Sequence, residues 1–260
     1  MPACKPLELR GRLLGAERTP LVCVPIVGRS VAALLEEISF LRAAGPDLIE
    51  WRADFLDAPA DPRQWLAIAT QLQAAAGEVP LIFTWRSVAE GGQSVTIDAA
   101  SRCEIHTAMA ASGLFSLVDL ESALDATYRD PIVQAARRSG TAVILSRHDF
   151  TATPPVETML QWFSLAQQLG ADVAKVAVMP REDDDVLALL AATAQASRLL
   201  RIPLISMSMG ARGALSRIFG HQFGSTVTFA AGAAPSAPGQ WSLVALRAVL
   251  ASLVSHGAGR

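Results

Sequence analysis

The chain has 260 residues, of which 51% are apolar and 18% charged, and its formal net charge is −2. That balance excludes a disordered chain, and the dispersed basic residues argue against nucleic acid as the main partner. The three cysteines, Cys4, Cys23 and Cys103, lack metal-ligand spacing and fit a reducing, cytoplasmic setting.

Residues 1–15 contain no apolar core of a signal peptide, so none is expected. Residues 7–14 (LELRGRLL) alternate around a glycine and predict a small hairpin, within residues 1–18, that plugs the N-terminal end of the main sheet. Short β-rich runs then alternate with Ala/Leu-rich helical patterns. A strand over Leu21–Val27 is followed by a helix over Val31–Ala44. A strand over Asp47–Arg52 precedes a helix over Pro62–Ala76, and one over Leu81–Arg86 precedes a helix over Ile97–Ser112. Phe115–Glu121 leads to a helix over Pro131–Ser139, and Ala142–His148 to one over Pro155–Leu169. Asp172–Met179 is followed by Asp183–Leu199, Pro203–Met209 by a short helix at Gly213–Phe219, and Ser225–Ala230 by Trp241–Ser255. Eight strands alternating with eight helices predict a (β/α)8 TIM barrel, read as one domain over residues 1–260. An open doubly wound sheet would show a glycine-rich phosphate loop after the first strand, and Val27-Gly28-Arg29-Ser30 supplies none. The last helical stretch is short and carries Arg247, so no membrane span is expected.

In such a barrel the active site lies at the C-terminal ends of the strands. Those ends carry Glu50-Trp51-Arg52, Thr84-Trp85-Arg86, Asp119-Leu120-Glu121 and Ser146-Arg147-His148-Asp149. Strand alternation puts Glu50 with Arg52, Thr84 with Arg86, and Asp119 with Glu121 on shared faces. Arg217 sits on the short helix. Met207 and Met209 read as core filling, and His106, His221 and His256 have no assigned role.

Twenty of the 22 basic residues are arginine, and the two lysines are Lys5 and Lys175. Lys175 lies within the apolar run Ala171–Met179. Burial disfavours a charged amine, and an amine freed of its charge attacks carbonyls to form imines. The competing reading is a structural lysine paired with a buried carboxylate. A lysine imine acidifies the adjacent C–H, so it needs a base. His148, one strand away, suits that role. Arg52, Arg86 and Arg217 present forks matched to a carboxylate. Glu50 is placed to accept from a hydroxyl, and Glu90 to orient or tune His148. No metal cluster or cofactor motif is evident.

These residues bring the chain to a known family. It resembles the type I 3-dehydroquinate dehydratases over roughly Val22–Gln240. The resemblance rests on Glu50-Trp51-Arg52-Ala53-Asp54, Phe83-Thr84-Trp85-Arg86 with Glu90-Gly91-Gly92, and Asp119-Leu120-Glu121. It also rests on Ser146–Phe150, Lys175–Pro180, Met207–Gly210, Ser216-Arg217, Phe223–Ser225 and Ser236–Gln240. The resemblance implies a Schiff base on Lys175, proton transfer by His148, and substrate held by Glu50, Arg52, Arg86, Arg217, Ser236 and Gln240. It also implies dehydration of 3-dehydroquinate to 3-dehydroshikimate in the shikimate pathway, with no cofactor, by a homodimer. The loop 230–239 then becomes a lid. Pro25 departs from relatives that carry a serine there. Another imine-forming lyase on the same barrel, such as a class I aldolase, and a silent metabolite-binding barrel are the competing readings. The former usually binds phosphate, and the latter gains nothing from a buried amine.

Overall fold

In the computed structural model, residues 4–15, 19–232 and 236–257 are described, with side chains as far as residue 253. The strands β1 (Leu7–Leu9) and β2 (Arg12–Leu14) pair antiparallel. Arg10 and Gly11 join them with φ of 47° and 80°, the two left-handed residues that a type I′ turn requires. Leu9 and Leu14 are buried against Leu21, Leu48, Leu117 and Val173, each the first residue of a barrel strand. The hairpin therefore stoppers the N-terminal mouth of the barrel, as its alternation predicts.

The barrel strands are β3 (Leu21–Ile26), β4 (Leu48–Arg52), β5 (Leu81–Thr84), β6 (Leu117–Glu121), β7 (Ala142–Asp149), β8 (Val173–Val178), β9 (Leu204–Ser208) and β10 (Val227–Phe229). All neighbours run parallel, in the order β10-β3-β4-β5-β6-β7-β8-β9. The ring closes between β9 and β10. There Thr226 N–H donates to the Leu204 carbonyl at 2.7 Å, and Leu204 bridges Ser225 in parallel. The helices are α1 (Val31–Ala44), α2 (Pro62–Ala76), α3 (Ala99–Ala111), α4 (Ala126–Ser139), α5 (Val156–Gln168), α6 (Asp183–Leu199), α7 (Ala214–Phe219) and α8 (Leu243–Gly257).

Most predicted boundaries agree within two residues. The exception is α4, which starts five residues before Pro131. Asp125 supplies the start signal, because its carboxylate accepts from the Thr127 N–H and caps the helix. Pro131 is tolerated inside the helix, at the loss of one ladder bond.

Period-2 alternation divides the core. Outward-facing Trp51 stacks on Trp65 at 5.6 Å and meets Phe83 edge-on at 5.4 Å, filling the space between strands and helices. Truncating such a buried tryptophan costs roughly 3–5 kcal/mol. Inward-facing residues are apolar at the strand starts and polar toward the strand ends, where the barrel holds its charges.

Candidate active site

Lys175 projects from the middle of β8 into the barrel and is 4% exposed. Its Nζ donates to Asp119 Oδ2 at 2.9 Å and to Glu50 Oε1 at 3.4 Å. It also lies 4.6 Å from the centre of the Phe229 ring. The lysine thus has the carboxylate partners that buried charge demands. Lys175 still lines a pocket at the C-terminal mouth of the barrel.

That cavity is bounded by Glu50, Arg52, Arg86, Glu90, His148, Lys175, Arg217, Ser236 and Gln240, so the structure gathers every candidate residue named from the sequence. Met207, Met209, Phe150 and Phe229 supply apolar wall. Arg86 sits just past the end of β5 rather than within it, and still reaches the interior.

Asp119 is the hub. Its Oδ1 accepts from Arg86 Nη2 at 2.7 Å and from Ser146 Oγ at 2.6 Å, while Oδ2 holds Lys175. Burial would raise the Asp119 carboxyl, but the Arg86 and Lys175 charges outweigh it and hold it well below the usual carboxylate range. Arg86 is correspondingly raised: burial opposes its charge, yet Asp119, Glu121 and Glu90 more than compensate.

At the rim, the 3-10 turn Val88–Glu90 aims Glu90 at β7. Glu90 Oε2 accepts from the His148 backbone N–H at 3.0 Å and lies 2.9 Å from His148 Nδ1. Glu90, rather than Asp119 or Glu121, is therefore the carboxylate on His148; Glu121 instead accepts from the Ser87 N–H at 2.7 Å. Gly91, at φ 82°, lets the turn press against Phe150, whose ring would collide with an added Cβ. Burial, then the charges of Arg86 and Lys175, push the His148 ring well below its ordinary value. Burial and Glu121 push the Glu90 carboxyl up to about 7, against the pull of Arg86 and Arg147. A neutral imidazole thus faces a carboxyl that exchanges its proton near neutrality, which suits acid/base work.

Arg217 on α7 differs from the other two arginines. It is 2% exposed, and its hydrogen bonds go to the Phe229 and Pro238 carbonyls at 3.5 and 3.2 Å and to the Met207 sulfur at 3.6 Å. Its Nε has no partner, and no carboxylate pairs with it among the described residues. Uncompensated burial lowers it to about 10. A buried, unpaired guanidinium is a ready site for an anionic group.

Ser236 and Gln240 are bonded to each other, with the Ser236 N–H donating to Gln240 Oε1 at 2.8 Å and Gln240 Nε2 donating to Ser236 Oγ at 3.1 Å. Pro238 between them accepts from Gly210 N–H at 3.1 Å as well as from Arg217. Residues 233–235 of this expected lid lie outside the described residues.

The matching profile is that of the type I 3-dehydroquinases, and it spans residues 22–256. The chain belongs to the type I 3-dehydroquinase family. A 3-dehydroquinate dehydratase of Albidiferax ferrireducens is 43% identical over 253 residues, covering 97% of this chain and 96% of that protein. The crystal structure of the 3-dehydroquinate dehydratase of Geobacillus kaustophilus is 41% identical, covers 99% of each chain and superposes with a TM-score of 0.90. A type I 3-dehydroquinate dehydratase from Clostridium difficile, solved with covalently modified comenic acid, is 35% identical with a TM-score of 0.92, over 97% of this chain and 99% of that one. The two solved structures thus match this 3-dehydroquinase chain over nearly its whole length.

Four residues of this 3-dehydroquinase's site receive no role from the sequence: Asp119 and Ser146 beneath the amine, Phe229 beside it, and Asp54 behind Arg52. Asp119 and Ser146 carry a usable signal, since alternation places them on the inner face beside Lys175. Phe229 carries none, because an inward aromatic reads as ordinary core. Arg212, also without a role in the sequence, pairs with Asp183 on the surface. Among the described residues no group of three or more metal-ligating side chains converges, and no helix is long and apolar enough to cross a membrane.

Proposed function

We propose that this chain dehydrates 3-dehydroquinate to 3-dehydroshikimate through an imine on Lys175, as a shikimate-pathway lyase. The carrying observation is the shared pocket: Lys175, His148 and Arg217, which has no carboxylate partner among the described residues, all line it. Family membership supplies the reaction class.

Glu50, within hydrogen-bond reach, takes the proton that Nζ gives up before it attacks the ketone carbon, while Asp119 stays ionised and holds the nitrogen in place. That proton is returned to the carbinolamine hydroxyl, which leaves as water, and the resulting iminium draws electrons from the neighbouring C–H bond. His148 removes that proton, leaving an enamine. The enamine then expels the β-hydroxyl, which departs as water with a proton from His148. Hydrolysis of the conjugated iminium returns Lys175 and releases the enone. Glu90 stabilises the imidazolium that forms midway. Arg217 takes the substrate carboxylate, and Glu50, Arg52, Arg86, Ser236 and Gln240 hold the rest. Ser236 and Gln240, on the segment tied to Gly210 and Arg217 through the Pro238 carbonyl, cover the bound substrate. No resident cofactor enters this scheme. The cysteines at 4, 23 and 103 are free, in keeping with a cytoplasmic enzyme, and the family resemblance supports a homodimer.

Two measurements test this reading. Adding 3-dehydroquinate is expected to generate conjugated-enone absorbance, and borohydride with the same substrate is expected to fix a covalent adduct on Lys175. Lys5 and the N-terminal amine are the only rival amines, so peptide mapping is unambiguous. No absorbance, or an adduct on Lys5 alone, overturns the mechanism.

A further inference from the structure

Asp54 is 2% exposed and does not line the cavity, yet it holds several of the cavity's parts. Its Oδ1 accepts from Arg52 Nε at 2.8 Å, and its Oδ2 accepts from Arg52 Nη2 at 2.8 Å. Two parallel bonds of this kind fix the plane of a guanidinium, not merely its position. Arg52 Nη1 makes no hydrogen bond among the described residues, and Arg52 lines the cavity. The Phe55 ring braces the same group, with the Arg52 guanidinium 5.1 Å from its centroid.

The same carboxylate also reaches the neighbouring loop. The Arg86 N–H donates to Oδ1 at 3.4 Å and the Gln93 N–H donates to Oδ2 at 3.0 Å. These two amides bracket the segment that carries Glu90, the partner of His148. The segment is tight: Gly92 N–H donates to the Ser87 carbonyl at 2.7 Å, and a Cβ on Gly92 would collide with the Arg86 carbonyl oxygen. Both ends of the loop and one binding arginine are therefore referred to a single carboxylate.

We infer that Asp54 is a positioning residue, which presents the free edge of Arg52 to the substrate and clamps the Glu90 loop beside it. The inference rests on the reading that Arg52 contacts 3-dehydroquinate. Fixing the arginine before substrate arrives removes an ordering cost from the binding step, so loss of the clamp appears mainly in KM.

The test is a double-mutant cycle with 3-dehydroquinate as substrate, using wild type, D54N, R52A and the pair. The D54N side chain keeps the volume but turns an amide NH2 toward donors. D54N is expected to raise KM by about tenfold or more with a smaller fall in kcat, because a bidentate charged contact is lost. In the R52A background the same change is expected to alter KM by less than about twofold, since the residue through which it acts on binding is gone, while the smaller fall in kcat, which runs through the Glu90 loop, persists. An unchanged KM in D54N, or the same factor in both backgrounds, overturns the inference. Asp54→Glu, which retains the charge but displaces it by a methylene, runs through the same cycle with the same outcomes and stands in if D54N does not fold. Wild-type protein without enone-forming turnover sinks the dehydratase reading and this inference together. Wild-type turnover with an unaltered D54N sinks the inference alone.

Discussion

Glu90 holds His148 at two points, the backbone N–H at 3.0 Å and ring Nδ1 at 2.9 Å. The contact fixes both the position of the residue and the orientation of its ring, and occupies Nδ1 rather than Nε2. Because Glu90 is pushed up to about 7, the pair loses its proton near neutrality. The base-competent form, with neutral imidazole beside carboxylate, therefore accumulates as pH rises. In wild type, kcat/KM is expected to rise through an acid limb near pH 7. Glu90→Gln is expected to lower kcat by about tenfold or more while leaving imine trapping intact, and to move that limb to lower pH. A pH profile of Glu90→Gln that overlays the wild type would remove Glu90 from the acid/base pair.

Asp119 accepts from two buried cations and a hydroxyl. Asp119→Asn removes the charge but not the volume, so the buried Arg86 and Lys175 lose a shared counter-charge. The expected loss is about 3–5 kcal/mol in urea unfolding at pH 7, typical of a broken buried pair. The sign with pH follows from the depressed folded value. The contribution of Asp119 is complete above the unfolded carboxylate range near ~3.9 and is lost as pH falls below it. The gap between wild type and variant should therefore narrow below about pH 4. A gap below about 1 kcal/mol at pH 7, as for an exposed pair, would contradict the hub role.

The inner face of the barrel is legible in the sequence because alternation is strict. Glu50 and Arg52, Asp119 and Glu121, and Lys175 with Val173 all point inward as parity requires. What parity does not carry is distance across the barrel. Which carboxylate meets Lys175 depends on strand stagger, which opposes Thr84 to Asp119 and Ser146 to Lys175. Glu90 and Asp54 lie on 3-10 turns outside the strands, where no period governs side-chain direction. The start of α4 escapes the sequence pattern because Pro131 looks like a first-turn proline, while the Asp125 cap lies upstream in a polar stretch.

Arg217 should separate stability from binding. It is buried without a carboxylate, so in the free protein only its hydrogen bonds to two carbonyls and a sulfur offset the cost of burying its charge. Arg217→Met fills similar space without the charge. Unfolding free energy is expected to stay the same or rise, as when buried ions give way to apolar groups. KM for 3-dehydroquinate is expected to rise by about 10- to 100-fold, the worth of a charged contact to a carboxylate. A destabilised variant with normal KM would make Arg217 a structural residue.

His106 gives the fold an acid sensitivity unconnected with the reaction. Its ring is 2% exposed, meets Phe83 edge-on at 5.0 Å and has Nδ1 3.4 Å from the Tyr128 hydroxyl, while Nε2 has no partner. Burial, then the Arg102 charge, lowers it to about 3. In the unfolded chain a histidine titrates near ~6.5. The folded value lies below the unfolded one, so the stability contributed by keeping this ring neutral is complete above ~6.5 and is lost as pH falls toward the folded value. Wild-type protein should therefore lose stability on acidification faster than His106→Leu, by a slope approaching about 1.4 kcal/mol per pH unit by about pH 5. Urea unfolding of both proteins at about pH 7, 6 and 5 measures the difference. Parallel pH dependences would show that His106 takes up its proton in the folded state as readily as in the unfolded one, contrary to its burial.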